Sequence, residues 1–221
     1  MYLISPTCQI ENLSEIYLKY FGLFASNRIF VEIGAYDGDS VSNTSGLADA
    51  GWKGVYVEPV YEFYLKCLDR HKHNKVIVSN LSIGLTEGLQ KIYKNGILSS
   101  LDQEHARIGV NKFNYPQYTE ECCYQLRMDT FLTNYDIPYE FDLLIVDVEG
   151  NEDEVFYSFD LNKWRPKMMI VELMDDHQYS QDNQDIVSKV KNLRNFICKH
   201  NYKEIYRDDI NTIFVRNDFV Q

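Results

Sequence analysis

Long apolar runs, basic clusters and paired cysteines are all missing from this 221-residue sequence. No segment stays apolar over the roughly 20 residues that a membrane-spanning helix requires. Asp and Glu (33 residues) outnumber Lys and Arg (22 residues), which gives a formal net charge of −11. Such a chain repels the phosphate backbone of nucleic acids and the surface of anionic membranes. We therefore expect no nucleic-acid partner and no membrane insertion, and a neutral or cationic small ligand suits the charge better.

The five cysteines are odd in number and include no C-x-x-C pair, so neither a disulfide framework nor a zinc site is indicated. The N-terminus also lacks the charged segment and long apolar stretch of a signal peptide. This cysteine usage is typical of a reducing compartment. We expect a cytoplasmic protein whose cysteines serve as small apolar side chains.

Short apolar segments alternate with segments of helical periodicity, and this alternation predicts a single α/β domain. Helical spacing over 11–27 predicts an N-terminal helix, so we treat residues 1–27 as a helical extension and residues 28–221 as the main domain. Strands are predicted at 28–33, 54–58, 75–79, 91–93, 122–126, 141–146, 167–171, 202–206 and 212–215, the last two as a hairpin. Further helices are predicted at 40–50, 60–73, 151–159 and 185–200.

The main strand segments are apolar throughout, which is typical of parallel strands that helices cover on both faces. Ligands of such sheets bind at the carboxyl ends of the strands, so the residues that follow each apolar run are candidates for a site. The polar segment 99–119 is too long for a simple connection. We expect it to be partly helical or to form a lid.

A glycine-bearing turn follows the first strand, and Gly34 and Gly38 in it let a ligand approach the backbone. Glu58 ends the next strand, 20 residues beyond Gly38, where a carboxylate can accept hydrogen bonds from a ribose diol. The G-x-G-x-x-G pattern of dinucleotide sites is not met, because Ala35 and Tyr36 follow Gly34. The turn therefore predicts a nucleoside ligand without a diphosphate. S-adenosylmethionine (SAM) fits, since its positive sulfonium suits an acidic pocket.

Two carboxylates, Asp147 and Glu149, come directly after a continuous apolar strand. Either one can act as a general base on a substrate hydroxyl or bind a divalent cation through oxygen, although capping of the next helix is their simpler role. Glu172 ends the following strand and joins Asp147 as a candidate metal ligand. Beyond it, His177 is a candidate catalytic base. His71, at a charged helix end, is predicted to lie at the surface.

Taken together, these motifs resemble the FkbM family of SAM-dependent methyltransferases. The matching stretches are 30–38 (FVEIGAYDG), 42–44 (SNT), 51–59 (GWKGVYVEP), 127–132 (RMDTFL), 145–152 (IVDVEGNE) and 170–172 (IVE). They follow one another in the order that the family shows and cover residues 28–175. At Tyr36 the chain departs from the family, which often has asparagine there.

The resemblance implies a Rossmann-like class I methyltransferase fold, an α/β sandwich whose mainly parallel seven-stranded sheet ends in an antiparallel strand. It also implies O-methylation of a hydroxyl group, most often on a sugar or glycan, with a polyketide-like small molecule as the alternative acceptor. A nucleotide-cofactor oxidoreductase on a related fold is a weaker alternative, which the missing glycines disfavour. SAM is the expected cofactor, and a divalent cation is an optional addition.

Carried over by position, the resemblance further implies a cofactor site. One group would line the methionine end of SAM, namely Glu32, Gly34, Asp37, Gly38, Asn43 and Thr44. A second group would hold the adenosine, namely Glu58 at the ribose and Asn80, Leu81 and Ser82 at the adenine edge. Ala35 and Pro59 complete this cofactor-binding set, and Asp147 would face the reacting methyl group.

Overall fold

The computed structural model describes residues 8, 10–22, 27–112, 117–174 and 183–219. Its strands are β1 (Ile29–Ile33), β2 (Lys53–Val57), β3 (Val76–Ser79), β4 (Ser82–Ile83), β5 (Gly88–Lys94), β6 (Thr119–Leu126), β7 (Leu143–Val146), β8 (Met168–Glu172), β9 (Tyr202–Arg207) and β10 (Asn211–Arg216). Its helices are α1 (Leu13–Phe21), α2 (Ser45–Asp49), α3 (Tyr61–Arg70), α4 (Gln103–Lys112), α5 (Met128–Asn134), α6 (Glu152–Tyr157), α7 (Leu161–Trp164) and α8 (Gln184–Lys199).

Seven strands form the central sheet, in the order β3-β2-β1-β7-β8-β10-β9. The first five strands in this order run parallel, whereas β10 is antiparallel to both of its neighbours. This topology confirms the predicted mainly parallel sheet with an antiparallel last strand. The strand order reverses between β1 and β7, and ligands of open α/β sheets bind outside the carboxyl ends of the strands at such a reversal.

Both faces of the central sheet are buried, because neighbouring residues of a strand point to opposite faces. In β7, Leu144 and Val146 pack into one apolar cluster, and Leu143 and Ile145 pack into another. All four residues of this strand are buried. Burial on both faces explains why the strand carries four apolar residues in a row rather than an alternating pattern.

Asp142, just before β7, connects three adjacent strands at their amino ends. The expected ligand site lies at the opposite, carboxyl ends. Its Oδ1 atom accepts hydrogen bonds from Arg28 and Lys167, each at 2.8 Å. Its Oδ2 atom accepts the backbone N–H of Ile29 at 3.0 Å. Because these partners precede or begin β1 and β8, this buried carboxylate helps to fix the register of β1, β7 and β8.

The N-terminal helix α1 packs against the sheet. Tyr17 and Phe21 are buried in the apolar cluster that contains Phe30 of β1. The Tyr17 hydroxyl donates a hydrogen bond to the carbonyl of Asn43 at 2.8 Å. The division between an extension and a main domain stays a prediction, but the helix supports a loop that lies beside the strand ends.

The predicted helix at 40–50 is wrong in its first half, because only Ser45–Asp49 is helical. The Oδ1 atom of Asp37 accepts the backbone N–H groups of Asp39 and Ser40, and Ser42 Oγ accepts those of Thr44 and Ser45. Such side-chain bonds offer the backbone an alternative to helix and hold it in turns.

A second sheet, with the strand order β4-β6-β5, is larger than the two short strands predicted at 91–93 and 122–126. Its longer strands, β5 and β6, alternate buried and exposed residues, which indicates a sheet with one face in solvent. The polar segment after β5 contains α4, so the expectation of partly helical structure is confirmed.

The five cysteines are free thiols. The reducing compartment and the cytoplasmic location stay predictions. Within the described ranges, every helix is too short or too polar to span a bilayer.

Candidate active site

A cavity of about 280 Å³ opens at the carboxyl ends of β1, β2, β7 and β8, beside the reversal in strand order. Its walls come from the turns after those strands, from the second sheet and from the segment that leads into α4. The predicted site residues that line it are Glu32, Gly34, Ala35, Asn43, Glu58, Pro59, Ser82, Asp147, Glu149 and Glu172. Residues chosen from separate strand ends thus share one cavity.

Gly34 makes the tightest approach in the cavity wall. Its φ angle is +89°, and a Cβ atom there would lie 1.6 Å from the carbonyl oxygen of Asp147. The Gly34 N–H donates to the Val57 carbonyl, and the Asp147 N–H donates to the Ile33 carbonyl, both at 3.0 Å. The turn after β1 is therefore held against the turn after β7, and glycine alone fits this position.

Gly38 faces the protein interior. A Cβ atom there would lie 2.7 Å from the sulfur of Cys67 and 2.9 Å from the ring of His71. The His71 Nε2 atom lies 2.8 Å from the Gly38 carbonyl oxygen. His71 is buried, so its predicted surface location is wrong. A helix-end histidine is buried here because the turn after β1 packs directly on the end of α3.

Glu58 lies in the cavity wall with both carboxylate oxygens bonded to the backbone. Its Oε2 atom accepts the N–H of Tyr36 at 2.8 Å, and its Oε1 atom accepts the N–H of Val60 at 2.7 Å. Burial raises the pKa of Glu58 to about 8, and the two N–H groups oppose this rise. Since each carboxylate oxygen can accept a further bond, the backbone orients Glu58 and leaves it able to bind a diol.

Glu32 lines the same cavity from β1. Thr44 Oγ1 donates a hydrogen bond to its carboxylate and also lies 2.9 Å from the hydroxyl oxygen of Tyr56. Burial raises the pKa of Glu32 to about 8, the Thr44 bond opposes the rise, and the charge of Asp147 adds to it. Thr44 is fully buried, and its contact orients Glu32 from behind the cavity wall.

Asp147, Glu149 and Glu172, which we call the acid cluster, have carboxylate oxygens that all lie within 4.8 Å of one another. Burial is the largest cause that raises the pKa of each above its usual range, and neighbouring carboxylates add to the rise. Glu172 Oε2 is buried and has no hydrogen-bond partner within the described part of the chain. Chemically, such a cluster can take up a proton, accept hydrogen bonds from hydroxyls or bind a cation.

His105 of α4 holds the acid cluster from the opposite wall. Its Nε2 atom lies 2.9 Å from Glu149 Oε2. Burial alone would lower the pKa of His105, but the bond to Glu149 and the surrounding carboxylate charges raise it. Ser100 Oγ donates to the Glu149 carbonyl at 2.7 Å. The predicted lid segment is therefore fastened to the turn after β7 by two contacts with one residue.

Five predicted cofactor residues do not line the cavity that the described residues define, namely Asp37, Gly38, Thr44, Asn80 and Leu81. The Nδ2 atom of Asn80 donates to the carbonyls of Glu58 and Pro59, at 2.9 and 3.0 Å, and so fixes the end of β2. Leu81 packs in the apolar core. The contact of these five residues with a cofactor stays a prediction. His177 lies outside the described residues.

The sequence placed His105 in the candidate lid segment but ranked it below His177 as a catalytic residue, so it was not among the predicted site residues. The length of the polar segment 99–119 indicated a functional segment. No motif singled out His105 within it, because one histidine in a helix creates no spacing pattern. The apolar part of the wall, which includes Phe63, Ile83 and Ile92, was missed as well. These side chains come from elements whose neighbours are set by tertiary packing.

The sheet order and the position of the cavity define a class I methyltransferase fold. A structure from Staphylococcus aureus assigned as a caffeoyl-CoA O-methyltransferase matches with a TM-score of 0.52 and 11% identity, over 96% of this chain and 86% of that chain. An O-methyltransferase from Bacillus cereus in complex with SAH matches with a TM-score of 0.50 and 14% identity, over 96% and 82%. Identities this low establish the fold alone.

Residues 32–204 match the methyltransferase FkbM domain. This match covers most of the chain, so the protein belongs to the FkbM methyltransferase family and is an enzyme. The resemblance inferred from the motifs is thereby confirmed. None of the curated proteins compared with the chain is similar to it in sequence.

Replacement of Gly34 by alanine is expected to lower the free energy of unfolding by about 3 kcal/mol or more, because the new Cβ must displace the Asp147 carbonyl. Gly51→Ala is the matched control, since Gly51 has φ +90° and a Cβ atom there would have nothing within 4 Å of it. That control carries the backbone strain alone and is expected to lose about 1 kcal/mol. Chemical denaturation measures both losses, and equal values would contradict the role of the contact.

Proposed function

We propose that this enzyme transfers a methyl group from SAM to a hydroxyl group of a sugar or glycan. The observation that carries the proposal is the joint position of Glu58, Gly34 and the acid cluster in one cavity at the reversal of strand order. A nucleoside-binding turn and a group of proton acceptors stand within reach of the same ligand. Membership of the FkbM family supports methyl transfer as the reaction.

In this arrangement the turns after β1 and β2 would hold SAM. Glu58 would accept hydrogen bonds from the ribose diol, and the amino-acid end would lie beside Asn43, which lines the same cavity. Ser82 is the strongest candidate at the adenine edge, because it lines the cavity whereas Asn80 and Leu81 are engaged elsewhere. The sulfonium is favoured by the negative charge of the acid cluster.

The transfer step requires the acceptor oxygen in line with the methyl–sulfur bond, about 3 Å from the carbon. We assign Asp147 as the base, since it ends the central strand β7 and lines the cavity directly against Gly34. The Asp147 carboxylate would take up the hydroxyl proton as the methyl group leaves the sulfur of bound SAM for the acceptor oxygen. Glu149, oriented by His105, is the second candidate for this role.

A sugar is preferred over a polyketide-like acceptor because several carboxylates in one cavity can accept hydrogen bonds from several hydroxyls at once. An oxidoreductase that binds a dinucleotide is disfavoured by Tyr36. This residue stands where a second glycine would admit the diphosphate. The centroid of its ring lies 4.4 Å from the centroid of the Phe63 ring. The turn after β1 therefore has a bulky aromatic contact at the position that a diphosphate site keeps open.

A divalent cation is the second group that this cavity is suited to hold. Three carboxylates within 4.8 Å of one another match the oxygen ligands that Mg²⁺ and Mn²⁺ prefer. The Glu172 oxygen without a hydrogen-bond partner in the described part of the chain is available as a ligand atom. Asp147, Glu149 and Glu172 were each predicted as candidate cation ligands from the sequence, and their closeness in one cavity supports that prediction. A bound cation supplies Lewis acidity that lowers the pKa of a nearby hydroxyl.

Glu58→Gln is expected to weaken SAM binding by about tenfold or more, because a hydrogen bond to a charged acceptor contributes roughly 1.5–3 kcal/mol. Turnover at saturating SAM is expected to change much less. Isothermal titration with SAM and steady-state kinetics separate the two effects. Glu62→Gln, at an exposed acid of α3, is the control that keeps SAM affinity. Unaltered SAM affinity in Glu58→Gln would remove this residue from the cofactor site.

Asp147→Asn is expected to lower methyl transfer by about 100-fold or more, since general-base catalysis contributes that much. Labelled SAM and a panel of glycans and small alcohols test both the reaction and the residue. Label is expected in a sugar hydroxyl with the unmodified enzyme, and SAH affinity is expected to persist in the variant. Glu154→Gln also removes one carboxylate, but at a residue outside the cavity, and should keep full activity. Normal turnover in Asp147→Asn would exclude it as the base.

Mn²⁺ binding tests the cation site without reliance on turnover. Electron paramagnetic resonance is expected to show Mn²⁺ bound by the protein and about tenfold weaker binding by Glu172→Gln, which loses one charged ligand. SAH affinity serves as the check that the variant is folded. Equal Mn²⁺ affinity in the two proteins, or none in the unmodified one, would rule out the proposed ligands.

A further inference from the structure

A second cavity, of about 300 Å³, adjoins the first and lies between α4, α6 and α8. Three residues, His105, Glu172 and Met174, line both cavities. Glu172 of the acid cluster therefore lies where the two cavities meet. So does His105, which contacts another member of the cluster, Glu149. Because the first cavity is assigned to the cofactor, the second is the space available to the part of the acceptor beyond its reacting hydroxyl.

The second cavity is strongly acidic. Six carboxylates of the described residues line it, namely those of Asp102, Glu104, Glu152, Asp153, Glu172 and Asp185. Lys189 is the one lysine or arginine among its described lining residues. Its ammonium group already lies 2.9 Å from the Asp153 carboxylate and 2.8 Å from the Gly150 carbonyl oxygen. This lysine therefore does not neutralise the remaining acids.

Protein groups satisfy some of these carboxylates and leave others to a ligand. Glu104 forms an ion pair with Arg107, and Glu152 Oε1 accepts two backbone N–H groups. Asp185 is exposed in the first turn of α8. Glu172 is 8% exposed, and its Oε2 atom is buried without a hydrogen-bond partner in the described chain. A buried acceptor without a partner is costly, and a charged donor on a ligand removes that cost.

We propose that the acceptor carries a protonated amine as well as the reacting hydroxyl, as an amino sugar does, and that the ammonium group occupies the second cavity. This inference rests on the proposed function, since it specifies the substrate class of the same site. An ammonium group offers three N–H donors, and its positive charge favours the ionised form of a buried carboxyl such as Glu172, which acts only as an acceptor when ionised. A phosphate or carboxylate on the acceptor would be repelled, and an acetylated amine would bring no charge.

The inference applies to the enzyme without a bound cation, because a cation on the acid cluster would occupy the Glu172 oxygen that the ammonium group is proposed to contact. Asp102 and Asp185 line the second cavity and are not members of that cluster. Their charges remain after the cluster has been neutralised. The preference for an amine is therefore a property of the second cavity and can be measured apart from the chemical step.

The test uses the full chain saturated with SAH, treated with EDTA, and three trisaccharides, of glucosamine, N-acetylglucosamine and galacturonic acid. Calorimetry at a pH below the amine pKa is expected to show that the glucosamine trisaccharide binds about tenfold more tightly than the acetylated one. The uronate is expected to bind most weakly. Added salt should reduce the amine preference, because exposed charges are screened. Equal affinities, tighter binding of the uronate or no binding of the amine would overturn the inference.

Asp185→Asn removes one charge from the second cavity and is expected to weaken binding of the glucosamine trisaccharide by about threefold, through Coulomb attraction alone. Binding of the acetylated trisaccharide should not change. Glu87→Gln, at an exposed acid in the turn before β5, is the matched control and should alter neither affinity. An equal loss in both variants would reduce the effect to overall charge. Failure of the proposed function would appear separately, as absent SAH binding.

Discussion

The parallel pairing of β1 with β7 is the constraint on which the site depends. Their register places Ile33 beside Val146, so the residues that follow, Gly34 and Asp147, meet at the edge of the sheet. The close contact between these two residues fixes the height of the Asp147 carboxylate above the strands. Asp142 supports the same register from the opposite end of the sheet. A site made of two chain segments far apart in sequence thus behaves as one rigid unit.

The cavity collects carboxylates that a stable fold would ordinarily keep in water. Burial raises the pKa of Glu32, Glu58 and each member of the acid cluster, which means that the fold is strained by their charges. The core on both faces of the sheet supplies the stability that tolerates this strain. A sulfonium, a divalent cation and an ammonium group each relieve the same electrostatic cost, so the three proposed ligands follow from one property of the cavity.

Elements outside the central sheet complete the site. The segment that contains α4 places Ser100 and His105 on Glu149, and α1 supports the Asn43 loop through Tyr17. The long polar segment therefore acts as a wall shared by two cavities rather than as a plain connection. His105 borders both cavities, so it stands between the proposed cofactor and acceptor sides.

The sequence by itself determined the strands of the central sheet, its mainly parallel pairing and the family, because periodicity and short motifs are local properties of a chain. It also identified Glu58, Asp147 and Glu172, since strand ends can be located from apolar runs. It missed the short elements β4, α5 and α7. Only the tertiary structure decided that Gly38 faces a buried His71 and that α4 brings a histidine to the acid cluster. Such contacts depend on which distant elements pack together, and no local pattern in a single sequence encodes that choice.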